Sequence, residues 1–197
     1  MDMRVFAIAL LALIPCLGAS PEFDKGKITG NPSAPIRIEI FSDFQCPACK
    51  LLHDQLLPAL TKDYVMSGKV YVVNHEFPLP MHPYSREAAH YATAAARFGI
   101  YQPVADRLFQ NQASWAASGK VWDTVAGVLS PEQQKKVQNM AKDPTVVAAV
   151  QHDVELGQRE KINSTPTMIL SHGAQRFPLP WPVNYTFLRS LLDGYLR

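Results

Sequence analysis

The chain has 197 residues, 47% of them apolar, and a formal net charge of +2. That length suits one domain with a sizeable core. The near-neutral balance excludes a nucleic-acid binder built on a basic run and a disordered acidic tail.

In chain order, the first feature is a targeting segment. Arg4 precedes an unbroken apolar run from Val5 to Ile14, which Pro15 ends; the small residues Gly18, Ala19 and Ser20 follow. This is the layout of a signal peptide over residues 1–19, and the run is too short to cross a bilayer. Cys16 lies inside it. Leu13-Ile14-Pro15-Cys16 is a poor lipobox, because Pro15 stands where a small residue is wanted, so lipid anchoring at Cys16 is not expected. Residues 20–35 are polar and punctuated by Pro and Gly, and they read as a linker into a domain spanning 36–197.

Within that domain, Ile36 to Phe41 alternates apolar residues with Arg37 and Glu39 and reads as a central strand. A turn over Ser42 to Gln45 leads into Cys46. From there to about Met66, Leu51, Leu52, Leu56, Leu57 and Leu60 keep a helical period. Pro58 should kink this helix and Gly68 end it. Val70 to Val73 is the next strand. A helical block then spans about 85–161: Ser85 to Phe98, Val104 to Gln110, Val121 to Leu129, a helix opened by Ser130-Pro131-Glu132-Gln133, and one opened by Asp143-Pro144 with Gly157 near its end. Thr167 to Leu170 is a strand, His172-Gly173 a turn, and Gln175 to Phe177 a return strand. Asn184 caps a last helix with Phe187, Leu188, Leu191 and Leu192 inward. The order is α/β: a right-handed strand–helix–strand unit, a helical insertion, then an antiparallel hairpin and a helix. Trp115, Trp122 and Trp181 read as core or groove aromatics, and His75, His90, His152 and His172 as surface or satisfied residues.

Without Cys16, the cysteines of the chain are Cys46 and Cys49. A single pair three residues apart does not make a disulfide scaffold, and so short a loop restricts the unfolded chain little. A zinc site would need a second ligand pair; Cys49 and His53 share a helix face, but nothing completes the set, so no metal is expected. Covalent haem would need His after Cys49, where Lys50 stands. Redox chemistry fits better. The nucleophile in disulfide exchange is a thiolate. Cys46 sits where a strand gives way to a helix, with Pro47 at the first helical position. Free backbone N–H groups and the positive end of the helix dipole therefore face its sulfur and lower its pKa below the free value of roughly 8.5. Cys49, one turn on and more buried, is the expected resolving thiol.

Phe41 to Lys50, with Cys46-Pro47-Ala48-Cys49 at its centre, resembles the active-site stretch of DsbA-like thioredoxin-fold oxidoreductases. Thr165-Pro166-Thr167 resembles that family's cis-proline loop, and His82-Pro83 with the alanine-rich 88–96 segment resembles the start of its helical insertion. The likeness runs from about Asn31 to Leu196. It implies a thioredoxin fold with a helical insertion between an N-terminal βαβ part and a C-terminal ββα part. It implies catalytic Cys46 and Cys49, the active-site dipeptide Pro47 and Ala48, and substrate binding at Thr165 and Pro166. It also implies no cofactor, cysteine-bearing exported proteins as substrates, and a membrane quinone-linked partner of the DsbB or VKOR type. The sequence departs from the pattern at Ile40, where many relatives carry a buried acid, at Ser164, where Gly is common, and at Ala48, where the strongest oxidases have His. A less oxidising couple than the family's extreme follows.

The function expected is therefore that of an extracytoplasmic thiol–disulfide oxidoreductase acting as an oxidase. The alternatives are a reductase or isomerase of the same fold and a non-catalytic peptide-binding holdase. No dimerisation domain precedes Ile36, so a monomer is expected rather than a dimeric isomerase.

Overall fold

The strands form where β-branched residues alternate with polar ones, and pairing extends them further than periodicity alone suggests. The computed structural model describes residues 25–197; the expected leader, with Cys16, lies outside the described residues. Among those described, five strands form one sheet in the order β1-β3-β2-β4-β5. They are β1 (Ile28–Thr29), β2 (Ile36–Ser42), β3 (Val70–Glu76), β4 (Thr167–His172) and β5 (Gln175–Pro180). β2 and β3 are parallel, in a register that sets Ser42 beside Glu76, and β4 pairs antiparallel with β2. β1 comes from the segment expected to be a linker: two residues become a strand because they pair with Val72 and Val73 on the edge of β3.

Helix α1 follows β2 directly. It opens as α-helix at Pro47–Leu51, widens to π geometry at Leu52–Leu56, returns to α at Leu57–Leu60 and widens again at Thr61–Val65. Pro58 has no N–H and its ring crowds the carbonyl four residues back. The widened turn before it is the form in which the expected kink is realised. Leu52, Leu56 and Leu60 pack with Ile36, Ile38, Ile40 and Val72 on one face of the sheet. Leu188 and Leu192 of the last helix, α8 (Tyr185–Tyr195), join the same cluster. Phe187, expected inward, is 56% exposed; a stripe of four apolar positions is wider than the face α8 presents to the sheet.

Between β3 and β4 lie α2 (Ser85–Ala96), α3 (Tyr101–Gln110), α4 (Gln112–Ser118), α5 (Val121–Ala126), α6 (Pro131–Met140) and α7 (Pro144–Arg159). Alanines 88, 92, 94 and 95 are buried with Leu108, Trp115, Val125, Val137 and Val146, so small side chains let several helices close on α2. Ser130 and Gln133 form the reciprocal capping box read from the sequence. Helix α4 was not anticipated, because its Gln-Ala-Ser-Trp run has no apolar period. The two sheet faces differ in what covers them: α7 lies on the second, with Val154 against Phe41, Phe77 and Ile169. Gly157 lies near the end of α7, as the sequence suggests, within its last turn. A Cβ there would lie 2.4 Å from the Phe77 ring, so glycine permits the helix to approach the sheet.

Candidate active site

Cys46 is the N-cap of α1, with extended backbone (φ −77, ψ 121) and Pro47 at the first helical position. Both cysteines stand free and buried. Their environments pull them apart. The Cys49 thiol donating to the Cys46 sulfur is the largest influence lowering the Cys46 pKa; the Thr165 side chain and the backbone N–H groups of Cys49 and Ala48 add to it against the opposing effect of burial. The result is a thiol brought down from 9.0 to about 5, ionised at neutral pH. Burial pushes Cys49 the other way, well above the ordinary thiol range, and the neighbouring Cys46 sulfur reinforces it. One sulfur is thus an anion at rest and the other a protonated thiol, which is the division of labour disulfide exchange needs.

The loop holding Cys46 is fastened from three directions. The Asp43 side chain is fully buried; its Oδ1 accepts from the Gln45 N–H at 2.7 Å, and its Oδ2 accepts from the Leu79 N–H at 2.7 Å and pairs with His82 Nδ1 at 2.8 Å. The Asp43 N–H points at the Cys49 sulfur at 3.3 Å. Gln112 of α4 donates its amide N–H groups to the carbonyls of Phe44 (2.7 Å) and Cys46 (2.9 Å). Gln45 Oε1 accepts from the Tyr84 N–H. Of these residues, Asp43 could have been found as an Asx turn before a cysteine. Gln112, far along the chain on an unpredicted helix, carries no local signal.

The Thr165–Pro166 peptide is cis and buried. The Thr165 carbonyl lies 3.4 Å from Cys46 Sγ and accepts from it when that sulfur is protonated. The Thr165 hydroxyl is buried without another hydrogen-bond partner, so it is free to turn towards the thiolate. Pro47 is exposed and Ala48 half-buried, so the dipeptide forms the accessible rim beside Cys46. All six residues read from the sequence thus belong to one locality, the strand-to-helix junction and the loop facing it.

Ile40 occupies the position of the absent acid, in the apolar cluster under α1. Glu39 faces the other side, as alternation requires, and is held by Arg37 (3.2 Å), Arg176 (3.1 Å) and His75 Nε2 (3.3 Å). His75 Nδ1 meets Asp153 at 2.9 Å, and Lys27 Nζ reaches Asp153 at 2.8 Å and Glu76 at 3.8 Å. Burial alone would lower His75, but Asp153 and Glu39 raise it to about 9. His53 does not turn to Cys49 as a ligand; it bridges Asp106 (2.8 Å) and Asp54 (3.0 Å). No group of His, Cys, Asp or Glu able to hold a metal occurs among the described residues.

A thioredoxin-like α/β sheet with a helical insertion and a Cys-Pro-Ala-Cys pair at the β2–α1 junction defines a protein disulfide oxidoreductase. The chain belongs to the thioredoxin family, whose model matches residues 23–192. It is similar to disulfide bond formation protein D of Bacillus subtilis (strain 168), 21% identical over 160 residues, covering 79% of this chain and 72% of that protein. It is also similar to the probable disulfide bond formation protein D of Bacillus cereus, 26% identical over 187 residues and covering 85% of each. Among solved structures, oxidised BdbD from Bacillus subtilis superposes with a TM-score of 0.73 at 21% identity, covering 90% of this chain and 95% of that one. Wolbachia pipientis alpha-DsbA1 superposes with a TM-score of 0.72 at 17% identity, covering 86% and 89%.

Proposed function

We propose that this protein is an extracytoplasmic oxidase that hands the Cys46–Cys49 disulfide to reduced cysteine pairs of exported proteins. What supports the direction is the placement of Cys46 at the N-cap of α1, where the Cys49 thiol and the backbone N–H groups of Cys49 and Ala48 depress its pKa. Whatever stabilises the Cys46 thiolate stabilises the reduced protein, and so makes its disulfide the more oxidising. In the forward step a substrate thiolate attacks Cys46 Sγ, and Cys49 leaves. A second substrate thiol then displaces Cys46, which departs readily because its pKa is low. The backbone of Thr165 beside Cys46 offers an N–H and C=O to an extended substrate segment, a short strand addition, and Pro47 and Ala48 form the rim it crosses. The apolar N-terminal run supports export, and a quinone-linked membrane partner of the DsbB or VKOR type would restore the disulfide. Among the described residues no helix is long and apolar enough to cross a membrane.

The test is disulfide transfer. Oxidised protein is mixed with reduced, unfolded ribonuclease, and the thiols of both are counted over time. The proposal expects ribonuclease thiols to disappear as those of the oxidoreductase appear, and Cys46→Ser to abolish the exchange. Transfer that runs only towards substrate reduction would overturn the oxidase reading, and suppression of aggregation that survives Cys46→Ser without exchange would replace it by a holdase.

A further inference from the structure

When Cys49 resolves a mixed disulfide on Cys46, its buried thiol must lose a proton. Burial holds that proton tightly. A cavity of about 360 Å³ runs beneath α1 and has Cys49 on its wall. Besides Cys49, its titratable lining residues are His53, Lys62, Tyr101 and Asp106. Three of these cannot take the proton. His53 and Asp106 are tied to each other at 2.8 Å, and the other ring nitrogen of His53 is held by Asp54 at 3.0 Å; against the opposing effect of burial the pairing raises His53 and lowers Asp106. Lys62 is exposed, at the outer side of the cavity. The Tyr101 hydroxyl remains, and it is not a terminus: it donates to Glu76 Oε1 at 2.9 Å.

Glu76 is 2% exposed and ends β3, beside Ser42 of β2 in the strand register. Ser42 lines the same cavity and lies against Cys49. Among the described residues the titratable groups that act most on Glu76 are Lys27 ahead of β1, Asp153 on α7, His75 next to it on β3, and Tyr101 on α3. Asp153 is fully engaged, accepting from Lys27, His75 and the Glu76 N–H. Glu76 has weaker contacts, with Lys27 a longer 3.8 Å away.

We propose that Glu76, acting through the Tyr101 hydroxyl and cavity water, is the store that takes and returns the Cys49 proton. In resolution the proton leaves Cys49 Sγ, passes along water and the Tyr101 hydroxyl, and ends on the Glu76 carboxylate. The Cys49 electron pair forms the bond to Cys46 Sγ as the bond from Cys46 to the substrate sulfur breaks, and that sulfur leaves as a thiolate. In disulfide donation Cys49 departs as a thiolate and takes the proton back from Glu76. No outside reductant or oxidant enters. The cavity, with Ser42, Asn74 and Tyr101 among its lining residues, has room for bridging water. Burial raises Glu76 to about 7, which suits a group that must gain and lose a proton at neutral pH. Glu76 touches no reacting atom and is a positioning residue for the proton.

The inference rests on the oxidoreductase reading of Cys46 and Cys49, and one experiment separates the two. Reduced protein is mixed with an aromatic disulfide that releases a coloured thiolate. The first phase reports attack by Cys46 and the second reports resolution by Cys49. In the wild type the second phase should accelerate as pH rises through about 7. Glu76→Gln should slow the second phase by about 10²-fold at high pH and remove that inflection, with the first phase unchanged. Tyr101→Phe keeps the carboxylate, should give the same loss, and carries the test where Glu76→Gln fails to fold. A purely structural role slows both phases together and leaves the inflection, and that result overturns the proposal. So does a second phase within about twofold of wild type in both variants. A missing first phase in the wild type overturns the oxidoreductase reading itself.

Discussion

Reduction should stabilise this protein in a pH-dependent way, and the size follows from Cys46. In the unfolded chain the thiol has its ordinary value of 9.0; in the folded, reduced protein it stands at about 5. The folded value is the lower one, so the contribution is complete above pH 9 and is lost as pH falls through about 5. At pH 7 only part of it is realised: the two decades between 5 and 7, at 1.36 kcal/mol each, give about 3 kcal/mol. The oxidised protein has no thiol at Cys46 and gains none of this. At roughly 30 mV per 1.4 kcal/mol, the same term makes the disulfide about 60 mV more oxidising at pH 7 than a pair lacking it. The assay is guanidinium unfolding of both redox forms at several pH values. Restriction of the unfolded chain by the disulfide is independent of pH, so it cancels when differences are compared. The reduced-minus-oxidised stability should grow by about 2 kcal/mol between pH 5 and pH 7. A difference that stays flat across that interval refutes the assignment of a stabilised thiolate to Cys46.

Three other outcomes are expected. Iodoacetamide titration of Cys46 should show its midpoint raised above about 5 in both Thr165→Val and Cys49→Ala, and raised more in the latter, because the Cys49 thiol is the larger of the two influences; the reverse order contradicts the geometry. His75 has its folded value raised from 6.5 to about 9, so its contribution of about 3 kcal/mol is present below pH 6.5 and lost as pH rises through about 9; the stability advantage of wild type over His75→Gln, followed by chemical unfolding, should shrink over that window. Gly157→Ala places a methyl against the Phe77 and Phe41 rings, lowering stability by about 1–3 kcal/mol and the melting midpoint by roughly 2–4 °C for each of those kcal/mol; an unchanged melt would show that α7 can move off the sheet without cost.

The chemistry of this protein was legible in the sequence because it is written locally. Cys46, Pro47 and Cys49 are consecutive or one helical turn apart, and a strand-to-helix junction places the first sulfur at a helix N-terminus wherever the chain goes next. Ser130 and Gln133 were equally plain, three residues apart with their bonds to one another. What was hidden depends on pairing across the chain. β3 runs on through Asn74, His75 and Glu76 because β2 lies beside it and Asp153 and Lys27 neutralise its charges; no propensity argues for a strand there. β1 exists because an edge was open to it. Gly157 marks the end of its helix legibly enough, but its close approach to Phe77 is a fact of packing. Gln112 and Asp43 anchor the site through partners on other elements. The absence of an acid at Ile40 is visible in the sequence, but nothing local marks Glu76, which reaches the same cavity only through the Tyr101 hydroxyl.

The direction of exchange is the central claim, and one measurement addresses it without reconstitution. Intact cells are quenched in acid, free thiols are alkylated with a reagent of large mass, and the state of the Cys46–Cys49 pair is read from its mobility on a gel. An oxidase kept charged for donation is predicted to be mostly in the disulfide form. A pair found mostly as two free thiols would contradict the account, leaving the fold and the chemistry in place and reversing the direction in which they run.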